Sequence, residues 1–249
     1  MKQLLPLVCL IALLSCRNTT DKVNPFSIRI DSVVMTSPGG CQGDSIPCVS
    51  FKVVFPHVTG LSKAAEDTLA KALSRLPINP DNKPVDLAES GKRFLADWKE
   101  INEEFEGATA PWSFESRATV LIVSDTLVSI KVTSFQYTGG AHGSQETSYI
   151  NLHPVTGARL TLDDFLRPGY LPALTAVGLQ AFRQARQLAP DEDLEAAGFE
   201  FPEGFQLNTN YGFSPAGIEF TFNIYEIAPY VLGPTQLTIP YRPLAAYRR

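Results

Sequence analysis

The stretch FQYTGGAHGSQETSYINL, residues 135–152, joins two runs typical of β-strands through a short glycine-rich segment. Gly139 and Gly140 tolerate positive φ angles, so the chain can reverse direction there without steric cost. Backbone shape therefore explains the glycines without any ligand. The same segment carries His142, one of three histidines in the chain. We predict an antiparallel strand pair whose connecting loop carries an imidazole.

Alternating and helical patterns on both sides of this stretch predict the fold class. Apolar residues alternate with polar ones in residues 26–35 and 49–58, which is typical of a hairpin. Helical spacing follows in residues 62–76 and from Asp86 onward, and a further helix is predicted over residues 170–188. Strand patterns occupy residues 112–152, and the segments FQLNTNYGF, GIEFTFNIY and TQLTIPY close the chain. This order predicts an α+β fold with antiparallel sheets, two helices in the N-terminal half and one main helix in the C-terminal half.

The first residues indicate export. The apolar run Leu4–Leu14 follows Lys2 and is too short to cross a bilayer as a helix. Residues 13–16 (LLSC) resemble the cleavage motif of bacterial lipoproteins, which implies cleavage before Cys16 and lipid attachment to its thiol. An ordinary signal peptide with an incidental cysteine is the alternative. We expect an extracytoplasmic protein anchored to a bacterial membrane by lipid, in the outer membrane or periplasm if the host has an outer membrane.

The predicted organisation has four parts. They are a signal peptide at residues 1–15, a tether at 16–25, an N-terminal α+β domain at 26–133 and a C-terminal α+β domain at 134–249. The strands near the last boundary can continue across it.

Cysteine use fits an exported protein. Once Cys9 leaves with the signal and Cys16 takes lipid, only Cys41 and Cys48 remain. A disulfide that closes the first hairpin is the default prediction outside the cytoplasm. A metal site would need more ligands than this pair supplies, so we predict no metal there.

The charge balance narrows the choice of partners. The chain has a net charge of −5 and 44% hydrophobic residues. Phosphate binding needs concentrated Lys and Arg, so a nucleic-acid partner is not predicted. A mildly acidic surface suits a cationic protein. The sequence also lacks a glycine-rich phosphate loop and a dinucleotide fingerprint, and no cofactor is predicted.

Three segments carry a resemblance to a known envelope domain. Residues 137–143 (YTGGAHG), 149–165 and 222–241 resemble a bacterial domain of unknown function. That domain forms the extracytoplasmic part of RsiV-type anti-sigma factors, which sense lysozyme by binding it, and an accessory module of PdaC-type peptidoglycan deacetylases. The upstream part, including VSFKVVFPHVTG, is similar to the smaller domain that often precedes it. Neither a sigma-binding segment nor a deacetylase domain is recognisable, so the resemblance implies an envelope module on a lipid anchor, without signalling or deacetylase activity.

His142 is the residue of this loop whose side chain is of a type that serves as a catalytic base or a metal ligand. A catalytic base needs a nucleophile and an orienting partner, and a metal ligand needs two companions. The nearest candidates, Glu146 and His153, are an odd number of residues apart and should point to opposite faces of a strand. The pair Asp163 and Asp164 is explained by capping of a helix start. We therefore predict no catalytic or metal site, and a structural hydrogen bond for His142.

The segment YEIAPYVLGP offers the more promising surface. We expect Pro229 to stop the preceding strand, which leaves Tyr225 and Tyr230 in an irregular loop where their rings can contact a sugar or a protein. A tyrosine packed inward is the structural alternative. If this loop meets the one that holds Tyr137, Gly139, Gly140 and His142, the two form a composite binding edge.

The predicted function is a non-enzymatic, lipid-anchored envelope module that binds a lysozyme-like protein or peptidoglycan. The alternatives are a cell-wall hydrolase that uses His142 and a purely structural envelope lipoprotein.

Overall fold

The computed structural model describes residues 25–37, 48–73, 86–105 and 110–249. The signal peptide, Cys16, Cys41 and nearly all of the tether lie outside these ranges. Signal cleavage, lipidation and the Cys41–Cys48 disulfide therefore stay predictions. Across the described ranges, no helix combines the length and the apolar character needed to span a membrane.

A five-stranded sheet is built from the first five strands in chain order. These are β1 (Ser27–Thr36), β2 (Ser50–Thr59), β3 (Ser113–Val123), β4 (Val128–Tyr137) and β5 (Ser144–Leu152). All neighbours are antiparallel except β2 and β3, which run parallel.

The parallel pair follows from the connection between its strands. Parallel neighbours need a long crossover, and helices α1 (Lys63–Leu73) and α2 (Leu87–Glu104) supply it. The pairing of β2 with β3 ends at Val54 and Arg117. Pro56 lies beyond this point, where a residue without an N–H group interrupts no ladder with β3.

Both crossover helices form where the sequence predicts them and cover one face of the sheet. In α1, Ala65, Leu69 and Leu73 are buried. The carboxylate of Asp86 accepts hydrogen bonds from the amides of Ala88 and Glu89 at 2.9 and 3.1 Å and so caps α2.

The C-terminal half adds a second sheet and its helix. Strands β6 (Tyr211–Ser214), β7 (Gly217–Phe222) and β8 (Thr235–Ile239) form an antiparallel sheet in that order. A short helix α3 (Leu162–Phe165) and the main helix α4 (Leu171–Arg186) precede them. The predicted α+β fold is confirmed, with one mixed and one antiparallel sheet.

Phe182 on α4 lies at the centre of the C-terminal core. It is fully buried, and its ring centroid lies 5.0–6.2 Å from those of four other phenylalanines. The four are Phe199, Phe201, Phe205 and Phe222.

The first of the predicted terminal strands is shorter than expected. It begins at Tyr211, not at Phe205, because Phe205 turns into the Phe182 cluster. The side-chain amides of Asn208 and Asn210 then donate to the Thr221 carbonyl at 2.8 and 3.0 Å. These side chains hold the preceding segment in an irregular path.

The two sheets pack together through polar side chains. Ser129 Oγ donates to Asn151 Oδ1 at 2.7 Å and accepts from the Phe213 amide at 2.9 Å. The hydroxyls of Tyr149 and Thr221 are 3.0 Å apart. Strand β4 runs through residues 133 and 134, so the five-stranded sheet continues across the predicted domain boundary, which stays a prediction.

Replacing Phe182 with alanine should lower the free energy of unfolding by about 3–5 kcal/mol, because a large buried ring leaves a cavity among rigid neighbours. Urea denaturation followed by circular dichroism measures this. Leu171→Ala on the same helix is the control, since Leu171 is 60% exposed. A loss below about 1 kcal/mol for Phe182→Ala would contradict the assigned core.

Stability should fall between pH 10 and 12 partly because of Tyr149. Burial raises the pKa of its phenol to about 12, whereas an unfolded tyrosine titrates near 10. In that window the unfolded chain loses this proton and the folded chain keeps it, so the contribution is complete below about pH 10 and is lost as the pH rises to about 12. In Tyr149→Phe the decline of unfolding free energy over this window should be smaller than in the parent. Tyr225→Phe, which alters an exposed ring, is the control; parallel curves for Tyr149→Phe and the parent would refute the idea.

Candidate functional site

The loop between β4 and β5 owes its path to glycine. Gly139 and Gly140 have φ angles of +95° and +93°, as the sequence predicts, and a Cβ on either would meet no atom within 4 Å. Backbone conformation alone therefore favours glycine at both positions. The Tyr137 hydroxyl donates to the Gly140 carbonyl at 3.1 Å and braces the turn from its own strand.

The loop between β7 and β8 differs from the expectation. Strand β7 already ends at Phe222, where the Asn223 amide donates to the Glu226 carboxylate at 2.7 Å. Pro229 instead precedes a single 3₁₀ turn at Tyr230–Leu232. Tyr225 has a left-handed φ of +64°, which is rare for a tyrosine, and its side chain is exposed.

The two loops meet, as the composite-edge hypothesis requires. The His142 ring stacks on Tyr230 with centroids 3.8 Å apart and planes 20° from parallel. The Tyr225 hydroxyl lies 3.2 Å from His142 Nε2, and the Tyr230 hydroxyl donates to the Gly143 carbonyl at 3.1 Å. Sequence-distant residues thus form one contiguous surface.

Phe135 and Val231 extend this surface, although neither was among the residues predicted from the sequence. The Phe135 ring covers Gly143 so closely that a Cβ there would collide with it. Phe135 is 43% exposed, and Val231, next to Tyr230, is 86% exposed. An apolar residue on the polar face of β4 was the available signal for Phe135. We call the group of Phe135, His142, Tyr225, Tyr230 and Val231 the aromatic corner.

Two asparagines fix the position of the second loop. Asn223 Oδ1 accepts from the Thr147 amide at 2.7 Å, and its Nδ2 donates to the Thr147 carbonyl at 3.0 Å. Asn210 Nδ2 donates to the same carbonyl at 2.8 Å. Because β5 is an edge strand, these side chains satisfy backbone groups that no neighbouring strand in its sheet reaches.

An acidic cleft adjoins the aromatic corner through Pro229. Its volume is about 810 Å³, and its apolar lining includes Phe199, Phe201 and Phe205. The guanidinium of Arg183 also lines it, but donates to the carbonyls of Ala189 and Glu192 at 2.7 Å each. The acidic residues of this cleft are Asp191, Glu192, Asp193, Glu195 and Glu200.

His142 has the contacts of a stacking residue. Its Nδ1 lies 3.2 Å from the Gly143 carbonyl, within the loop as predicted, and its Nε2 faces Tyr225. Among the described residues, no carboxylate, serine or cysteine is hydrogen-bonded to His142. His153 is beyond the far end of β5, where its Nδ1 accepts from the Val155 amide at 3.1 Å.

The remaining titratable candidates have structural partners. Asp164 accepts from the Thr161 amide at 2.7 Å and closes a capping box, and Asp163 accepts from the Tyr170 hydroxyl at 2.9 Å. Within the described ranges, no three His, Cys, Asp or Glu side chains are grouped to hold a metal ion.

Removing the Asn223 side chain should expose the Thr147 amide to exchange. In Asn223→Ala this amide loses its acceptor, so its hydrogen exchange should accelerate strongly, and stability should fall by about 1–3 kcal/mol. The Ile150 amide in the same molecule is the internal control. The backbone N–H and C=O groups of even-numbered residues on β5 point to β4, so the Asn223 side chain does not bond to them. Unchanged protection at Thr147 would show that Asn223 does not hold the edge.

Two family models match separate parts of the chain. Residues 163–242 match the model of the family described as "Protein of unknown function (DUF3298)", and residues 44–145 match the model described as "Deacetylase PdaC". No curated protein matches the chain. The predicted likeness to an envelope-type domain of unknown function with a PdaC-related part is confirmed at this level, whereas the specific likeness to RsiV stays a prediction.

Two crystal structures of DUF3298 family proteins show the same fold. One from Bacteroides fragilis is 21% identical, with a TM-score of 0.70, over 91% of this chain and 96% of that one. One from Pseudomonas aeruginosa PAO1 is 23% identical, with a TM-score of 0.61, over 91% and 95%. The chain thus has the fold of these structures, and it is similar in sequence to PdaC in its N-terminal part and to DUF3298 in its C-terminal part.

Proposed function

We propose that the protein is a lipid-anchored, extracytoplasmic module that binds a basic, lysozyme-like protein at the aromatic corner and the acidic cleft. The motif at Cys16 and the likeness to PdaC, a wall-deacetylase family, support an envelope location. The observation that carries the proposal is the stack of His142 and Tyr230 with Tyr225 on an exposed surface.

The aromatic corner has the properties of a contact surface. Tyr225 is 62% exposed, although its hydroxyl is hydrogen-bonded to His142, so its ring presents an apolar face in a restrained orientation. Rings that are already restrained lose little conformational entropy on binding. Tyrosine is also among the residues most often found at the energetic centre of protein interfaces.

The acidic cleft favours a cationic protein over peptidoglycan. Pro229, the chain neighbour of Tyr230, lines this cleft, and the whole chain has a net charge of −5. A basic protein would bring cationic side chains to the cleft and apolar side chains to the corner. Sugar rings could stack on the corner, but the carboxylates of wall peptides would face like charge at the cleft.

Tyr225→Ala should weaken binding to lysozyme about tenfold or more, because it removes an exposed anchor without changing buried packing. Calorimetric titration of the purified full chain in detergent with lysozyme measures this. Phe105→Ala is the matched control, since Phe105 is an aromatic residue with 57% exposure on the end of α2. Equal affinity of the two variants would remove the corner from the interface.

The contribution of the cleft has its own test. Asp191→Asn with Glu195→Gln should slow association and flatten its salt dependence, whereas Glu103→Gln on α2 should change neither. Retention of the chain on purified sacculi but not on lysozyme would assign the surface to peptidoglycan. Binding to neither would leave the purely structural role.

A further inference from the structure

β1 is an edge strand with an unusual surface. It occupies one end of the five-stranded sheet, and in the described part of the chain no strand pairs with its outer edge. Ile28, Ile30 and Val34 are 46%, 58% and 59% exposed. All three are at even positions of the strand, with Ser32 between Ile30 and Val34, so they lie on a single face of the sheet.

The strand has few of the devices that protect sheet edges. Natural edge strands are usually short, or carry proline, charged side chains or a bulge that prevents pairing with another chain. β1 has ten residues, SIRIDSVVMT, without proline, and its pairing with β2 shows no bulge. Its two charges, Arg29 and Asp31, form an ion pair with each other. Within the described ranges, no strand bonds to its outer N–H and C=O groups, so a further strand could pair with them.

We propose that β1 pairs antiparallel with β1 of a second copy of this chain, about a two-fold axis at Ile30. Every second residue of a strand directs its backbone N–H and C=O groups to the outer edge. In a two-fold pair these residues must face each other for the two strands to bond, so the axis passes through a residue position. With the axis at Ile30, Arg29 faces the second copy's Asp31, and the two Ile30 side chains meet. The inference is independent of the proposed function.

Charge complementarity selects this register. Arg29 and Asp31 form an ion pair at 2.8 Å within one chain, so two copies would place four charges of alternating sign side by side. An axis at Asp31 would oppose two carboxylates. An axis at Ser32 would set Arg29 against Met35 and Asp31 against Val33 and leave the charges without opposite partners.

The pairing is compatible with attachment of both copies to one membrane. In this register Ser27 faces Val33 of the second copy, so the two Ser27 residues are about 20 Å apart along the strands. Both tethers would leave from the same strand pair.

Single cysteines test the register in cells that produce the full chain. Ile30→Cys should form a disulfide-linked species of twice the mass of the single chain on a non-reducing gel, because the two residues face each other across the axis. Val34→Cys is the matched control: it is equally exposed on the same face, but lies far from its counterpart in this register. Equal cross-linking of both variants, or none at Ile30→Cys, would overturn the proposal.

Charge exchange tests the pairing itself. Arg29→Asp and Asp31→Arg should each weaken self-association about tenfold or more, and the double variant should restore it, as sedimentation of the full chain in detergent would show. Thermal unfolding of each variant identifies any loss of folding. A double variant as weak as the single ones, a monomer at every concentration, or a complex with a different protein in place of the dimer would refute the inference.

Discussion

The hydrogen bonds between the Asn223 side chain and the Thr147 backbone fix the end of one sheet against the free edge of the other. Thr147 is 1% exposed, so water cannot satisfy its outward N–H and C=O groups. An unpaired buried group costs about 1–3 kcal/mol, and the asparagine provides one acceptor and one donor at the correct spacing. The loop that precedes β5 and the loop that follows β7 must then lie side by side.

Polar contacts between the sheets serve mainly to define their relative position. There are two main apolar cores, one around Phe182, which also includes Leu127 before β4, and one around Ile130 and Leu152. Between them, Lys131 Nζ lies 3.4 Å from a Glu219 oxygen, with both side chains only about one-fifth exposed. Such a pair adds little net stability, because desolvation offsets its attraction, but a shifted docking would leave two charges unpaired. The apolar cores stabilise the halves, and the polar contacts determine which loops meet.

Short-range patterns predicted most of the fold, and long-range contacts account for what they missed. Alternation identified β4 and β5, and helical spacing identified α1, α2 and α4, because apolar residues recur in each of them at the period of that element. The pairing of Asn223 with Thr147 joins residues 76 positions apart and has no local signature. Similarly, no spacing showed that β2 and β3 are parallel neighbours.

In the candidate site too, local features could be predicted from the sequence and long-range contacts could not. Glycine and tyrosine in two loops could be recognised as turn and contact residues, and the positive φ at Gly139 follows from residue type. Whether those loops meet could not be predicted from the sequence. Their contact depends on how the two sheets pack, which is fixed by Asn210 and Asn223, and in the sequence these asparagines look like ordinary turn residues. Phe135 was missed because the strand pattern was analysed for its buried face alone.

The position of the aromatic corner relative to β1 has a consequence for binding. The corner lies at the β4–β5 end of the five-stranded sheet and β1 forms the opposite edge, four interstrand spacings or about 19 Å away. Pairing through β1 would leave both corners accessible and would present two of them from one membrane-attached unit. A partner with two contact sites, or two partners held on one surface, would then bind the second corner at a high effective concentration. Self-association at β1 would thereby raise the apparent affinity of a weak site without any new contact at the corner.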